Sequence, residues 1–250
     1  MEPLDFVTGR AIPPLPGGIG VTHLRVYDTA APDGLAGGTP HLHTVCTEAY
    51  AVIGGSGVVQ TLTAAGFSET ALEPGALVWF TPGTIHRLVN FGDLEILVLM
   101  GNAGLPEAGD MVITFAPDVM GDESAYAARA ALPEDDRTTA GPGDAARVRR
   151  DLAVPAFLDL VAATTDGDPA PLRAFHLAAA ALVRPRLAQW EEIWRAGPAA
   201  AADATAVHLA ALTAGTDEHL AAASVHVLAP PSPERRLGCC GTLGTYVVPG

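Results

Sequence analysis

The chain has 250 residues, of which 49% are apolar, so it is long enough and hydrophobic enough to fold around a buried core. Its formal net charge is −14, and an acidic surface of this strength repels phosphate backbones. The only basic cluster in this acidic sequence is formed by Arg147, Arg149 and Arg150, so we expect no nucleic-acid partner.

Seven short β-strands are predicted in the first half of the chain, where β-branched and aromatic residues form short runs. The predicted strands are 20–28, 49–53, 57–64, 76–80, 86–90, 94–100 and 111–115. Turn signals separate them at Gly54-Gly55, Gly66, Pro74-Gly75, Pro82-Gly83 and Gly92. Short strands at such regular spacing predict an all-β sandwich or barrel, and we assign it to residues 1–117.

The composition changes after Pro117. Residues 118–152 are acidic and are interpreted as a linker that has room for a short helix. Residues 153–228 carry helical patterns and are predicted to be an α-helical region. The predicted helices are 154–163, 168–196 with a break at Pro185, 200–213 and 217–227. The tail, 229–250, is rich in Pro and Gly but apolar, so we expect it to pack back onto the fold.

Four polar residues in the β-rich half have the spacing of metal ligands. His41 and His43 lie two residues apart, so on a strand both imidazoles point to the same face. Glu48 follows five residues later, and His86 opens another predicted strand. Three imidazoles and one carboxylate suit Fe(II), Mn, Ni, Cu, Co or Zn, and do not suit Ca or Mg.

These residues resemble the two motifs of the cupin superfamily. The first is G-x5-H-x-H-x(3,4)-E-x6-G, and the chain matches it at His41, His43, Glu48 and Gly55. The second is G-x5-P-x-G-x2-H-x3-N, which the chain matches at Gly75, Gly83, His86 and Asn90. Two positions depart from the pattern: Leu35 stands at the leading Gly, and Thr81 stands at the Pro. The match covers residues 20–115.

The resemblance implies a fold, a metal site and a range of functions. The fold would be mainly β: a double-stranded β-helix or jelly-roll barrel, here followed by an α-helical C-terminal region. His41, His43, Glu48 and His86 would bind one divalent transition metal, with Fe(II) favoured. The leading hypothesis is a non-haem dioxygenase or other oxygenase acting on a small oxygen-bearing organic molecule. A metal-dependent isomerase or decarboxylase and a non-catalytic small-ligand-binding module remain as alternatives.

Two residues are candidates for catalysis. All 14 basic residues are Arg, which excludes a lysine general base and a lysine Schiff base. Acid–base steps would then fall to Glu48 or to Tyr50, which alternation places on the same face of the strand as Glu48. By resemblance we also expect a homodimer.

The remaining features favour a protein of the cytoplasm. The chain has three Cys, which do not form a disulfide framework and fit a reducing compartment. Met1 to Arg10 lack the apolar run of a signal peptide, and the most apolar stretch, 94–100, is too short to span a bilayer. We therefore expect a cytoplasmic location and no membrane partner.

Overall fold

The computed structural model describes residues 15–141 and 143–246. The sequence-based expectation about Met1 to Arg10 lies outside these residues, as do the last four residues of the tail. Among the described helices, none combines the length and the apolar character that crossing a bilayer requires.

Nine strands of the described residues form one antiparallel sheet that folds around the core. They are β1 (Gly20–Val26), β2 (His41–Leu42), β3 (Glu48–Thr63), β4 (Gly66–Leu72), β5 (Leu77–Phe80), β6 (Ile85–Met100), β7 (Val112–Ile113), β8 (Arg236–Leu237) and β9 (Gly241–Thr245). The main order is β4-β3-β6-β1-β9-β8, while β2 pairs with β6 and β7, and β5 pairs with β3. The inner face carries the apolar core, including Leu42, Val59, Leu62, Leu88 and Ile96.

The two long strands, β3 and β6, each replace two of the predicted strands. The sequence analysis ended a strand at Gly54-Gly55 and another at Gly92, and both of these boundaries were wrong. The strands instead continue through a bulged region in which Gly54 faces Glu95 and Ser56 faces Gly92. Irregularities of this kind bend a strand without ending it, so each long strand contributes to two parts of the sheet.

Strand β4 lacks a counterpart among the predicted strands. It pairs with the second half of β3 across the turn between Thr63 and Gly66. Its burial is low except at its end, where Leu72 is fully buried. Its sequence, GFSETAL, contains few β-branched residues and so has a low intrinsic preference for a strand. The segment is extended because it pairs with β3.

Within the part of the chain that the structure describes, seven α-helices follow the β-rich half: α1 (Pro117–Met120), α2 (Glu123–Ala130), α3 (Asp144–Thr165), α4 (Ala170–Val183), α5 (Leu187–Trp194), α6 (Ala200–Thr213) and α7 (Glu218–Ala221). The predicted break at Pro185 is present, because a 3₁₀ turn at Arg184–Arg186 separates α4 from α5. The helix predicted at 217–227 is shorter than expected and ends at Ala221. Helices α1, α2 and the beginning of α3 occupy the segment interpreted as a linker.

Arg150 ties helix α3 to the loop that follows β1. Its side chain is 1% exposed, and its guanidinium donates to the backbone carbonyls of Thr29, Ala30 and Gly37. Bonds from a charged donor to several carbonyls fix a helix more firmly than apolar contact alone. The basic cluster noted in the sequence is therefore partly buried and holds the helical region against the sheet.

The tail also contacts the sheet directly. Strand β9 pairs with β1 along its length, from Thr22 opposite Thr245 to Val26 opposite Gly241. Just before β9, the carbonyls of Cys239 and Cys240 accept the N–H groups of Thr39 and Tyr27. The tail thus reaches the backbone next to the first of the histidines considered below.

Candidate metal centre

The fold brings His41, His43, Glu48 and His86 together, and we call these four residues the His–Glu cluster. One ligand atom from each residue lies within 4.8 Å of the others, and all four side chains are buried. One ion with bonds of about 2 Å can span such a group with small adjustments. His41 pairs directly with His86 across β2 and β6, while Glu48 opens β3.

Each imidazole is oriented by a bond from its Nδ1 atom. Nδ1 of His41 lies 2.8 Å from the carbonyl oxygen of Thr39, and Nδ1 of His86 lies 3.1 Å from that of Thr84. Nδ1 of His43 meets the carbonyl oxygen of Asp110. A carbonyl only accepts, so each Nδ1 carries the proton and each Nε2 presents a lone pair toward the cluster. This is the arrangement that histidine ligands of metals adopt.

The contacts inside the cluster are suited to a cation. Oε2 of Glu48 lies 3.2 Å from Nε2 of His43 and 3.1 Å from Nε2 of His86. Oε2 of Glu48 and Nε2 of His86 have no hydrogen-bond partner among the described residues. With Nδ1 protonated these are all acceptors, and buried acceptors facing one another are costly. One proton satisfies a single pair, whereas one metal ion satisfies all four ligands.

The charge states of His41 and Glu48 also fit a metal. Burial, together with the neighbouring imidazoles of His86 and His43, holds the pKa of His41 well below its ordinary value, so His41 is neutral at pH 7. Burial opposes the ionisation of Glu48, yet His86 and His43 hold the pKa of that carboxyl well below its usual range. Burial would lower the pKa of His43, but Glu48 raises it instead. The cluster therefore offers a carboxylate beside a neutral imidazole.

Asp110 supports two of the ligands, and the sequence analysis did not single it out. Its carboxylate accepts the backbone N–H groups of Thr44, Val45 and Cys46, at 2.6, 3.2 and 2.8 Å respectively. These residues form the loop between His43 and Glu48. The backbone carbonyl of the same aspartate accepts from His43. In the sequence Asp110 is only a single Asp before a predicted strand. Its role could not be predicted, because the residues it contacts are more than sixty positions away.

A cavity of about 370 Å³ opens beside the His–Glu cluster. His41, His43 and Glu48 lie in its wall, and the tail supplies much of the opposite side. The other lining residues include Met100, Glu107, Met111, Arg149, Arg236, Cys239, Cys240 and Leu243. Helix α3 and the tail therefore complete the cavity. Its volume is at the small end of the range for ligand sites, which suits a small organic molecule.

Tyr50, the second candidate for catalysis, lies behind the cluster. It is fully buried and is not among the residues that line the cavity. Its ring packs against Phe80, and its hydroxyl has no hydrogen-bond partner among the described residues. Burial, then the charge of Glu48, raises the pKa of Tyr50 well above its ordinary value. A catalytic role for Tyr50 remains a prediction.

Several residues beside the ligands have structural contacts. Phe80 packs on His86 with ring centroids 4.3 Å apart. Arg87 forms an ion pair with Asp33, and Cys46 is buried under the loop that Asp110 holds. Trp79 is 68% exposed on the outer face of the sheet. The expected homodimer also remains a prediction.

Several solved structures resemble about a third of this chain. They include a TDP-fucose-3,4-ketoisomerase from Campylobacter jejuni, 15% identical over 32% of this chain and 58% of that one, with a TM-score of 0.27. A cupin protein from Bacteroides fragilis is 18% identical over 34% of this chain and 65% of that one, with a TM-score of 0.26. The cupin domain of CENP-C from Drosophila melanogaster is 16% identical over 33% of this chain and 58% of that one, with a TM-score of 0.26.

In each case the match covers less than two thirds of the other protein's length, and the likeness concerns the fold alone. No protein-family model and no curated protein matches the chain. The predicted fold class is confirmed: a mainly antiparallel β-sheet folds around the His–Glu cluster, and helices follow it in the C-terminal half. The cluster could hold a metal ion, as predicted from the two motifs.

Proposed function

We propose that the protein is a metal-dependent enzyme that acts on a small oxygen-bearing organic molecule. The observation that carries the proposal is the convergence of three imidazoles and Glu48 on one point at the edge of a cavity. Four protein ligands leave one or two positions free on a five- or six-coordinate ion. A free position beside a cavity is typical of catalytic sites, whereas structural sites are closed.

The first candidate reaction class is oxygenation, as expected from the sequence. Three imidazoles and one carboxylate form an N/O donor set that accommodates Fe(II). When bound, iron in such a site supplies positions for a substrate and for oxygen. The chain's own contribution is to hold the histidines through their Nδ1 bonds and to keep Glu48 ionised.

A second class, isomerisation or decarboxylation, is favoured by the sulfur groups around the cavity. Met100, Met111, Cys239 and Cys240 all line it. Thiols and thioethers next to activated oxygen are open to oxidation, which would damage an oxygenase from within. A divalent ion that polarises a carbonyl and needs no oxygen leaves this wall intact.

Metal analysis and oxygen uptake separate the two classes. The protein is purified without chelator, its metal content is measured by mass spectrometry, and oxygen consumption is screened with catechols, diketones and thiols. Near-stoichiometric iron with uptake supports the oxygenase. Stoichiometric Mn, Ni or Zn without uptake supports the isomerase or decarboxylase. A protein that has no metal and regains none on reconstitution would contradict the enzyme proposal and leave a ligand-binding module.

A further inference from the structure

Four charged side chains line the cavity beside the His–Glu cluster: Glu48, Glu107, Arg149 and Arg236. Glu48 belongs to the His–Glu cluster, where the proposed metal ion would balance its charge. Glu107 and Arg236 are exposed, so solvent screens both charges, and their charges sum to zero. Arg149 is only 6% exposed, so its positive charge is buried in the cavity wall and needs a counter-charge.

Arg149 has no acidic partner in the part of the chain that the structure describes. Its guanidinium donates to the carbonyl oxygens of Ala130 at 3.0 Å and Gly238 at 2.9 Å. Its Nε atom is buried without a hydrogen-bond partner. A guanidinium has five N–H groups, so its bonding capacity is only partly used. A buried cation without a counter-charge is costly, which indicates that an anion completes this site.

Two other buried arginines, Arg150 and Arg87, each have a carboxylate partner. Arg150, the next residue of α3, bonds the carboxylate of Asp151 and several backbone carbonyls, and it holds the helix in place. Arg87 is fully buried and forms two bonds with the carboxylate of Asp33, although its Nε also lacks a partner. Arg149 differs from both because it has no carboxylate and because it lines the cavity.

We propose that the cavity binds a small organic anion whose carboxylate contacts Arg149 while a second oxygen function of the same molecule faces the His–Glu cluster. This inference rests on the proposed function, because it specifies the substrate class of the same site. A cavity of about 370 Å³ accommodates a molecule of a few carbons. The guanidinium suits the planar, bidentate geometry of a carboxylate.

The overall charge makes this site distinctive. The chain has a net charge of −14, so most of its surface repels anions. With a divalent ion in the cluster, the cavity charges of Glu48, Glu107, Arg149 and Arg236 leave an excess of positive charge inside. Anions would therefore bind in the positively charged cavity, while the acidic surface around it repels them.

Binding measurements with matched ligands test the inference. Tartronate, malate and 2-hydroxyglutarate are each compared with a monoamide. In each monoamide one carboxyl group stays next to the hydroxyl to chelate the metal, and the other carboxyl group is amidated. Each pair presents the same 2-hydroxy acid to the cluster and differs only in the second carboxylate. Affinities are measured by titration calorimetry on the protein with its metal content determined. We expect at least one acid to bind about ten- to hundredfold more tightly than its amide.

Variants connect this preference to Arg149. In Arg149→Met the preference for the acid should disappear, while the affinity for the amide changes little. A purely structural role would weaken acid and amide equally. Arg149→Gln, which can keep a donor toward the Ala130 and Gly238 carbonyls, gives the same test if Arg149→Met does not fold. Arg147→Met is the matched control, since Arg147 is exposed on the same helix and pairs with Asp144.

The outcomes separate this inference from the proposed function. If no acid is preferred over its amide, or if the preference survives in Arg149→Met and Arg149→Gln, the inference is wrong. If the protein binds no metal but still prefers the acids through Arg149, the enzyme proposal fails and the anion site stands. If metal is bound at full occupancy and acids show no preference, only the anion site fails.

Discussion

His86 Nε2 lies 3.1 Å from Oε2 of Glu48, and neither atom has a hydrogen-bond partner among the described residues. Nδ1 of the same histidine is already used at the carbonyl of Thr84. The side chain is fully buried, so water cannot easily replace a lost partner. A cation between these two atoms would satisfy both, so His86 provides a direct test of the cluster.

Replacing His86 with Ala should strongly reduce metal occupancy, because the remaining two imidazoles and one carboxylate form an incomplete ligand set. Metal content per chain, measured by mass spectrometry after gel filtration, checks this. His226→Ala serves as the control, since His226 is exposed and lies outside the cluster. Stoichiometric metal in His86→Ala would rule out the ligand assignment.

Asp110→Asn should reduce both stability and metal affinity. The amide cannot accept the N–H groups of Thr44 and Cys46 as strongly as the carboxylate does, and the lost bonds to a charged group cost about 2–3 kcal/mol. Because this loop separates two ligands, metal affinity should fall about 10- to 100-fold, as it does when outer partners of ligands are removed. Urea unfolding and metal titration measure the two effects.

The same aspartate predicts how stability depends on pH. Burial opposes its ionisation, but the bonds from Cys46 and Thr44 keep the pKa of Asp110 below its ordinary value. A lowered folded-state pKa adds stability that is complete above about pH 4 and is lost as pH falls through the folded value. In Asp110→Asn the free energy of unfolding should vary less over that acid range. Asp135→Asn, at an exposed site, should leave the wild-type profile unchanged.

Tyr50→Phe should leave the metal content unchanged and the melting temperature the same or slightly higher. The hydroxyl lies near Glu48 and Cys240 but is buried without a partner in hydrogen-bond geometry, so its removal relieves an unsatisfied polar group. Tyr126→Phe is the matched control, because the Tyr126 hydroxyl accepts the N–H of Ile113 at 3.0 Å and its loss should destabilise the fold by about 1 kcal/mol. Thermal melts compare the two variants, and a clear loss of stability in Tyr50→Phe would mean that its hydroxyl is bonded after all.

The sequence was sufficient to predict the parts of the site whose geometry is local. The His41–His43 spacing follows from strand alternation, and the positions of Glu48 and His86 follow from the two motifs. Gly54 and Gly92 were misinterpreted because a glycine that bends a strand has the same local signal as one that ends it. Only the pairing of β3 with β6 distinguishes the two cases.

Asp110 and Arg149 could not be predicted for a different reason. Each acts on residues far away in sequence: Asp110 on the loop after His43, and Arg149 on Gly238 in the tail. Nothing in the residues around them reports these contacts, because tertiary packing alone creates them. The sequence shows Arg149 as part of a basic cluster, which would ordinarily lie on the surface. The sequence does not show that Arg149 is buried.

Gly241→Ala should detach the tail from the sheet while the metal site persists. A Cβ atom at Gly241 would collide with the backbone oxygen of Arg25, so β9 could not pair with β1 in its present register. The four ligands lie outside the tail, on or next to β2, β3 and β6, so metal should remain bound. The cavity would lose the wall formed by Cys239 to Leu243, and ligands should bind more weakly.

Limited proteolysis, metal analysis and thermal melts measure these effects together. Gly92→Ala is the control, because a Cβ atom there has no neighbour within 4 Å, and its stability should change by less than about 0.5 kcal/mol. We expect faster cleavage of the tail and a lower melting temperature in Gly241→Ala only. If both variants resist proteolysis equally and bind ligands equally, the pairing of β9 with β1 does not hold the cavity wall. Loss of metal in Gly241→Ala would instead show that the tail helps to hold the ligands, since Thr39, which bonds Cys239, also orients His41.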